Sequence, residues 1–293
     1  MLRALGSWLC ACSLVFATGA GADERDPWPL DAEFPPSMDY VALEVDGDLL
    51  NGLVYRAQGA GPHPGVVLLH GYPGNEKNLD LAQALRRAGF NVLFFHYRGA
   101  WGSEGEFSLQ GAIDDVAAAV ERMRSDPAMN TDPTRVSVVG HSMGGFLTLQ
   151  HAARDADVTC AVPLAFANMG GYVRMAAGDP AALASLEERL SRRPPPLVWA
   201  EGYSVFAEVR DNGPELDLNE HVDALAQRQM LVLSALRDEV VDFDSNHRAL
   251  MARLREAGAP RVEELTLDAD HAFSAHRLAL IDHVVPWMQA HCR

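Results

Sequence analysis

Ser142 sits in Gly140-His141-Ser142-Met143-Gly144, a G-x-S-x-G run that follows a β-branched stretch at 136–139 and opens a segment of helical periodicity at 143–154. A serine hydroxyl is a poor nucleophile at neutral pH. It becomes a good one when a base accepts its proton and a third group orients that base. Small residues two positions to either side allow the serine to occupy a sharp strand-to-helix turn, because a Cβ there would collide with the turn. Such a turn lifts the hydroxyl above a sheet and puts the Met143 N–H at a helix N-terminus, where developing negative charge is favoured. The chemistry these residues suit is acyl transfer to the serine oxygen.

That chemistry needs donors for an oxyanion, and His70-Gly71-Tyr72-Pro73-Gly74 follows the apolar run 66–69 directly. A glycine-rich loop after that strand can bring the Tyr72 N–H beside that of Met143; Pro73 has none to offer. A base and an orienting acid should follow the serine in the order acid, then histidine. Asp238 lies just past the strand-like 230–234, and His271 just past 262–267. His70, His96 and His141 compete for the base role, but a structural hydrogen bond suits their positions better. Glu239, Asp242, Asp268 and Asp270 compete for the acid role; Asp270 adjoins the histidine, which makes a bond to the same imidazole awkward.

The elements that must hold these residues alternate along the chain. Segments 40–45 and 49–56 alternate in polarity around Asp46-Gly47-Asp48, the pattern of a β-hairpin. Short apolar runs at 66–69, 91–96, 136–139, 158–163, 230–234 and 262–267 then alternate with helical segments at 76–88, 109–125, 143–154, 245–257 and 274–289. Strands buried on both faces between helices predict an α/β fold with a mostly parallel sheet flanked by helices. Ligands of such sheets bind at the carboxyl ends of the strands, where Asp238 and His271 are expected. Residues 168–227 interrupt the alternation with Gly170-Gly171, a helical piece at 181–190 and Pro194-Pro195-Pro196, and read as an inserted lid. Trp101 and the insert's Tyr172, Tyr203 and Phe206 are candidates for the pocket wall; Arg98 reads as a structural cap.

The motifs HGYPG, FHYRGAWGSEGEF, GHSMGG, LRDEVV and DADHAFSAHR, in that order, resemble the α/β-hydrolase superfamily near its prolyl-oligopeptidase-like and dienelactone-hydrolase-like branches. The resemblance covers about residues 40 to 290 apart from the insert. It implies a serine hydrolase with Ser142 as nucleophile, His271 as base and Asp238 as acid. One departure is Ala235, where many relatives have glycine before the acid loop. With few residues ahead of the hairpin, the long N-terminal propeller of true prolyl oligopeptidases is not expected.

Composition narrows the partners. The 293 residues are 48% hydrophobic and 22% charged, enough apolar material for one large core. A net charge of −16 argues against nucleic acid, whose phosphates need a basic surface. No H-E-x-x-H, spaced cysteine pair, P-loop or G-x-G-x-x-G after a strand supports a metal or nucleotide cofactor. Residues 1–22 read as an export signal: Arg3, an apolar run at 4–17 and Ala20-Gly21-Ala22 before Asp23. Cleavage there removes Arg3 and no acid, takes the net charge from −16 to −17 and leaves 23–293 as one hydrolase domain with no membrane span. Of the remaining cysteines, Cys160 is expected to be buried and inert and Cys292 frayed. A serine esterase acting on a small ester leads the expectations. A peptidase of aminopeptidase or dipeptidyl type is the alternative, its substrate amine held by insert acids such as Glu187, Glu188, Glu201, Glu208 and Asp211. A non-catalytic binding protein on the same fold fits less well.

Overall fold

A computed structural model describes residues 29–293; the expected export segment, 1–22, lies outside the described residues. The chain enters through a hairpin, β1 (Ser37–Val45) and β2 (Asp48–Arg56). Asp46 and Gly47 make its turn with φ of 53° and 95°, the left-handed pair that matches the twist of the strands. Strands and helices then alternate: β3 (His63–Leu69), α1 (Leu79–Arg87), β4 (Asn91–Phe95), α2 (Leu109–Ser125), β5 (Thr131–His141), α3 (Met143–Arg154) and β6 (Ala161–Leu164). Five helices of the insert follow: α4 (Met169–Ala176), α5 (Pro180–Leu190), α6 (Val205–Asp211), α7 (Gly213–Leu216) and α8 (Val222–Leu225). The body resumes with β7 (Met230–Ala235), α9 (Ala249–Glu256), β8 (Val262–Leu267) and α10 (Arg277–His291).

The eight strands form one sheet in the order β1-β2-β4-β3-β5-β6-β7-β8, antiparallel at the hairpin end and parallel from β4 to β8. Every residue of β4, β6 and β7 is buried, as expected of strands covered on both faces. Helices α2, α3 and α9 cover one face with Val116, Phe146 and Leu250, and α1 and α10 cover the other with Leu85 and Trp287. Among the described residues no helix is long and apolar enough to cross a membrane.

The register decides which loops meet. Leu69 pairs with Gly140, His141 with Leu164 and Ala235 with Leu267. The loops after β3, β5, β7 and β8 therefore leave the same edge of the sheet. Ala235 closes its strand while fully paired, so the glycine that many relatives carry there is not needed for the strand to end.

Two expectations need correction. The segment 245–257 begins as a π turn, Asp244–Arg248, before α9 starts at Ala249. Cys292 is not frayed: it is bonded to Cys160, their Cα atoms 5.8 Å apart, and neither is more than 1% exposed. Tertiary packing brought them together, because α10 lies back across the sheet and carries its last turn to the start of β6.

Candidate functional site

Ser142 follows the last residue of β5 with φ 59° and ψ −117°, a conformation that costs a side-chain-bearing residue about 1–3 kcal/mol. Its neighbours leave no choice in their size. A Cβ on Gly140 would lie 2.2 Å from the Gly144 carbonyl oxygen, and one on Gly144 would lie 2.4 Å from that of Leu69. The turn is held by the Ser142 N–H donating to the Leu164 carbonyl (2.9 Å) and the Phe146 N–H donating to that of Ser142 (3.0 Å). Gly71 lies against the serine: a Cβ there would come within 2.9 Å of the Ser142 Cβ. The glycine of the loop after β3 is thus what lets that loop reach the serine.

The loops after β7 and β8 are zipped together by Leu236 N–H to Leu267 O (2.8 Å) and Arg237 N–H to Ala269 O (2.9 Å). Past this zipper, His271 Nδ1 lies 2.6 Å from Asp238 Oδ2. A carboxylate only accepts, so Nδ1 carries the proton, and Nε2 is the nitrogen turned away from Asp238. Asp238 has a 3% exposed side chain, and its Oδ1 accepts the Val240 and Val241 N–H groups at 2.8 Å each. Both oxygens are satisfied and their direction is set. Among the described residues Ser142 Oγ has no hydrogen-bond partner; contacts of this kind commonly tighten only when substrate is bound.

Among the described residues, five of the seven competing groups, all but His96 and Glu239, have other hydrogen-bond or ion-pair partners. Asp270 accepts the Ser274 N–H (2.7 Å), Asp242 that of Ser245 (2.8 Å), and Asp268 pairs with Arg237 (2.8 Å). His141 is buried and its Nε2 donates to the His271 carbonyl at 2.7 Å, fastening the histidine loop to the end of β5. Burial lowers its pKa to about 3, so the ring is neutral. His70 is buried likewise, its Nδ1 donating to the Gly71 carbonyl at 2.7 Å and its pKa lowered to about 4 by desolvation. Arg98 braces its loop by donating from N and Nε to the buried Asp115, at 2.8 and 2.7 Å.

A cavity of about 150 Å³ opens at the serine, with Tyr72 and Met143 in its wall beside Ser142. Neither the Tyr72 nor the Met143 N–H has an acceptor among the described residues; for Met143 this follows from its place in the first turn of α3. The remaining wall is largely apolar and includes Leu109, Met169, Leu190, Val205 and Val241. Of the aromatic candidates, only Tyr172 lines it. Trp101 instead donates from Nε1 to the Pro73 carbonyl (2.8 Å) and lies under the Lys77 ammonium, bracing the 70–74 loop from behind. The Tyr203 hydroxyl bonds Glu208 and accepts the Leu109 N–H (3.0 Å), and Phe206 packs with Ala176 and Leu186 inside the insert. Sequence reasoning missed Leu109, Met169, Leu190, Val205 and the Val240-Val241 pair. Only Val240-Val241 carried a signal, since an aspartate whose side chain accepts N–H groups two and three residues on is common turn chemistry.

A second cavity, of about 610 Å³, shares Val240 with the first and is lined by Arg237, Glu239, Asp270, His271, Ser274 and His276 among others. Serine and histidine thus line different spaces, the first with one charged residue in its wall and the second with several charged and polar ones.

Residues 66–289 match the model of the alpha/beta hydrolase family. Esterase EstD of Thermotoga maritima is 31% identical over 151 residues, which cover 46% of this chain and 36% of EstD. An uncharacterized protein of Mycobacterium tuberculosis is 34% identical over 111 residues, 38% of this chain and 39% of that protein, so the chain spans about two fifths of the length of these curated relatives. In three dimensions the chain is similar to Est1E from Butyrivibrio proteoclasticus, solved with bound ferulic acid, at TM-score 0.66 and 18% identity over 86% of this chain and 98% of that one. It is also similar to an acylaminoacyl peptidase at TM-score 0.63 and 16% identity, covering 88% of this chain and 42% of that one.

Proposed function

The chain belongs to the alpha/beta hydrolase family, and on that premise we propose that it is an exported serine hydrolase that cleaves a carboxylic ester through an acyl-enzyme. The observation that carries the proposal is the 2.6 Å contact between His271 Nδ1 and Asp238, in loops that leave the sheet beside a strained Ser142. In this reading Ser142 Oγ attacks the acyl carbon while His271 Nε2 takes its proton, and the Asp238 carboxylate stabilises the imidazolium that forms. The carbonyl oxygen, now negative, is met by the Tyr72 and Met143 N–H groups. The leaving alkoxide departs with the proton from His271. Water, deprotonated by the same nitrogen, then releases the acid and restores the serine.

Ester cleavage is favoured over an amine-recognising peptidase by the charges at the site. None of the five insert acids named above lines either cavity. Glu208 is taken up by the Leu109 and Gln110 N–H groups, Glu188 by Arg192 and Asp211 by Arg210. The one charged side chain in the cavity wall beside Ser142 is Arg189, which would repel a substrate ammonium. The insert, residues 168–227, acts in this proposal as the lid that sets substrate choice, because it contributes Met169, Tyr172, Arg189, Leu190 and Val205 to that wall. Export rests on the signal-like residues 1–22 and is supported by the buried disulfide, a bond of oxidising compartments.

The test is labelling of the purified protein by a fluorophosphonate, followed by a panel of p-nitrophenyl esters against aminoacyl and dipeptidyl amides. Labelling that Ser142→Ala abolishes, with turnover of esters, supports the proposal. Undiminished labelling of the alanine variant refutes the serine assignment, and faster turnover of the amides refutes the ester preference.

A further inference from the structure

Arg189 differs from the other four arginines of the insert. Arg174 pairs with Asp217, Arg192 with Glu188 and Arg210 with Asp211, while Arg193 donates to the Tyr203 carbonyl. Arg189 has no acid and no carbonyl among the described residues; its guanidinium lies 4.9 Å from the centre of the Tyr172 ring. Arg189 and Tyr172 line both the cavity that holds Ser142 and an outer cleft bounded by Met175, Ser185 and Leu186. The pair therefore stands where the inner cavity meets the outside. An arginine without a carboxylate among the described residues, in a chain of net charge −16, is a cation open to an anion.

The two cavities assign the two halves of an ester. The base must hand its proton to the leaving oxygen, so the leaving group lies toward His271 and the polar cavity. The acyl group lies on the side of Ser142, among Leu109, Met169, Leu190 and Val205, with Arg189 at the mouth. We propose that Arg189 receives a carboxylate at the far end of the acyl group, so that the substrates are monoesters of dicarboxylic acids joined by an apolar spacer. This rests on the ester-hydrolase reading above. The cavity, at about 150 Å³, has room for on the order of five water-sized groups, which suits a spacer of several methylenes. A guanidinium fork binds a carboxylate in two parallel hydrogen bonds, and its ring contact with Tyr172 holds it flat for that purpose without neutralising it.

The experiment compares p-nitrophenyl monoesters of adipic and suberic acid with p-nitrophenyl hexanoate and octanoate, esters of equal length that end in a methyl group. Wild-type protein is expected to prefer one of the two acids over its neutral partner by about tenfold or more in kcat/KM, chiefly through KM. Arg189→Gln should erase that preference, bringing kcat/KM of each acid to that of its neutral partner, and Arg189→Lys should keep part of it because the charge is retained. Salt should weaken the preference, since the site is open to solvent. A wild-type protein with no preference for either acid overturns the proposal, as does a preference that survives in Arg189→Gln. Failure of the ester-hydrolase reading looks different: the neutral esters would not be turned over at all, and fluorophosphonate would not label Ser142.

Discussion

Helix α3 and helix α5 are of nearly equal length, and both contribute residues to the same cavity. Ten of the twelve residues of α3 are buried, and one of the eleven of α5, Leu186, is. The first begins at the serine; the second carries Arg189 and Leu190 into the cavity wall. A helix packed on all sides has one arrangement, and a reacting group at its end is held to within a fraction of an ångström. A helix resting on a cluster as small as Ala176, Leu186 and Phe206 opens at little cost. On the proposed function, chemistry would thus fall in the more buried part of the molecule, and contact with the acyl group in the more exposed part.

The comparison makes body and insert separable by mutation. The largest expected effect is Asp238→Asn, which keeps the shape but turns the wrong face to His271. It should lower kcat on the best ester by about 10⁴ while circular dichroism stays unchanged. A loss confined to KM would mean that the body does not carry the chemistry.

Reduction or Cys160→Ser should come next. The bridge closes a loop of 132 residues, and its removal should lower unfolding free energy by about 2–5 kcal/mol in urea melts, leaving kcat/KM of the folded fraction unchanged. Unaltered stability would show that the two cysteines do not bridge in solution.

The buried imidazoles predict a pH effect of definite sign. His141 is held near 3 and His70 near 4, against 6.5 for a free ring. Below pH 6.5 the unfolded chain binds these protons and the folded chain does not, so the stability they contribute is present above pH 6.5 and lost as pH falls toward their folded values. Each ring adds about 1.4 kcal/mol per pH unit in that window. Urea melts at pH 7 and pH 5 should therefore show a flatter decline in His141→Gln than in wild type; parallel declines would mean that the ring titrates normally in the folded state.

A smaller effect is expected at the seam between the two regions. Asn246, in the π turn, accepts the Asn168 N–H (2.7 Å) and donates to the Asp242 carbonyl (2.8 Å), tying the start of the insert to the acid loop. Asn246→Ala should raise KM by about tenfold and change kcat and fluorophosphonate labelling by less than about threefold. The smallest effect belongs to Asp270→Asn, under about tenfold in kcat, since that carboxylate caps the Ser274 N–H and acts on His271 only through a screened field. If it proves more damaging than Asp238→Asn, the orienting acid has been misassigned.

Much of the body was legible in the residues themselves. The ranges of α2 and α3 follow from their helical periodicity, and the place of β8 from its short run at 262–267, although as the last strand of the sheet it has no buried residue where strands covered on both faces were expected. The G-x-S-x-G turn is local, because the glycines that permit it stand within two residues of the serine. The 2.6 Å meeting of Asp238 and His271 was not local, yet their positions just past two strands foretold it, since parallel neighbours must end on one edge.

What sequence alone determined is therefore the alternation of strand and helix, the turn at Ser142 and the order of the polar loops, all set by spacings of a few residues. The tertiary structure decided the rest. It took Trp101, Tyr203 and Phe206 out of the cavity wall and put Leu109, Met169 and Val205 into it. It joined Cys160 to Cys292 across 132 residues, and it left Arg189 without an acid among the described residues. An aromatic side chain serves a pocket or a packing cluster with the same residue type, and an arginine pairs with whatever acid the fold brings near. Which of these occurs depends on the angles at which short helices of the insert lie on the body, and no local pattern encodes those angles.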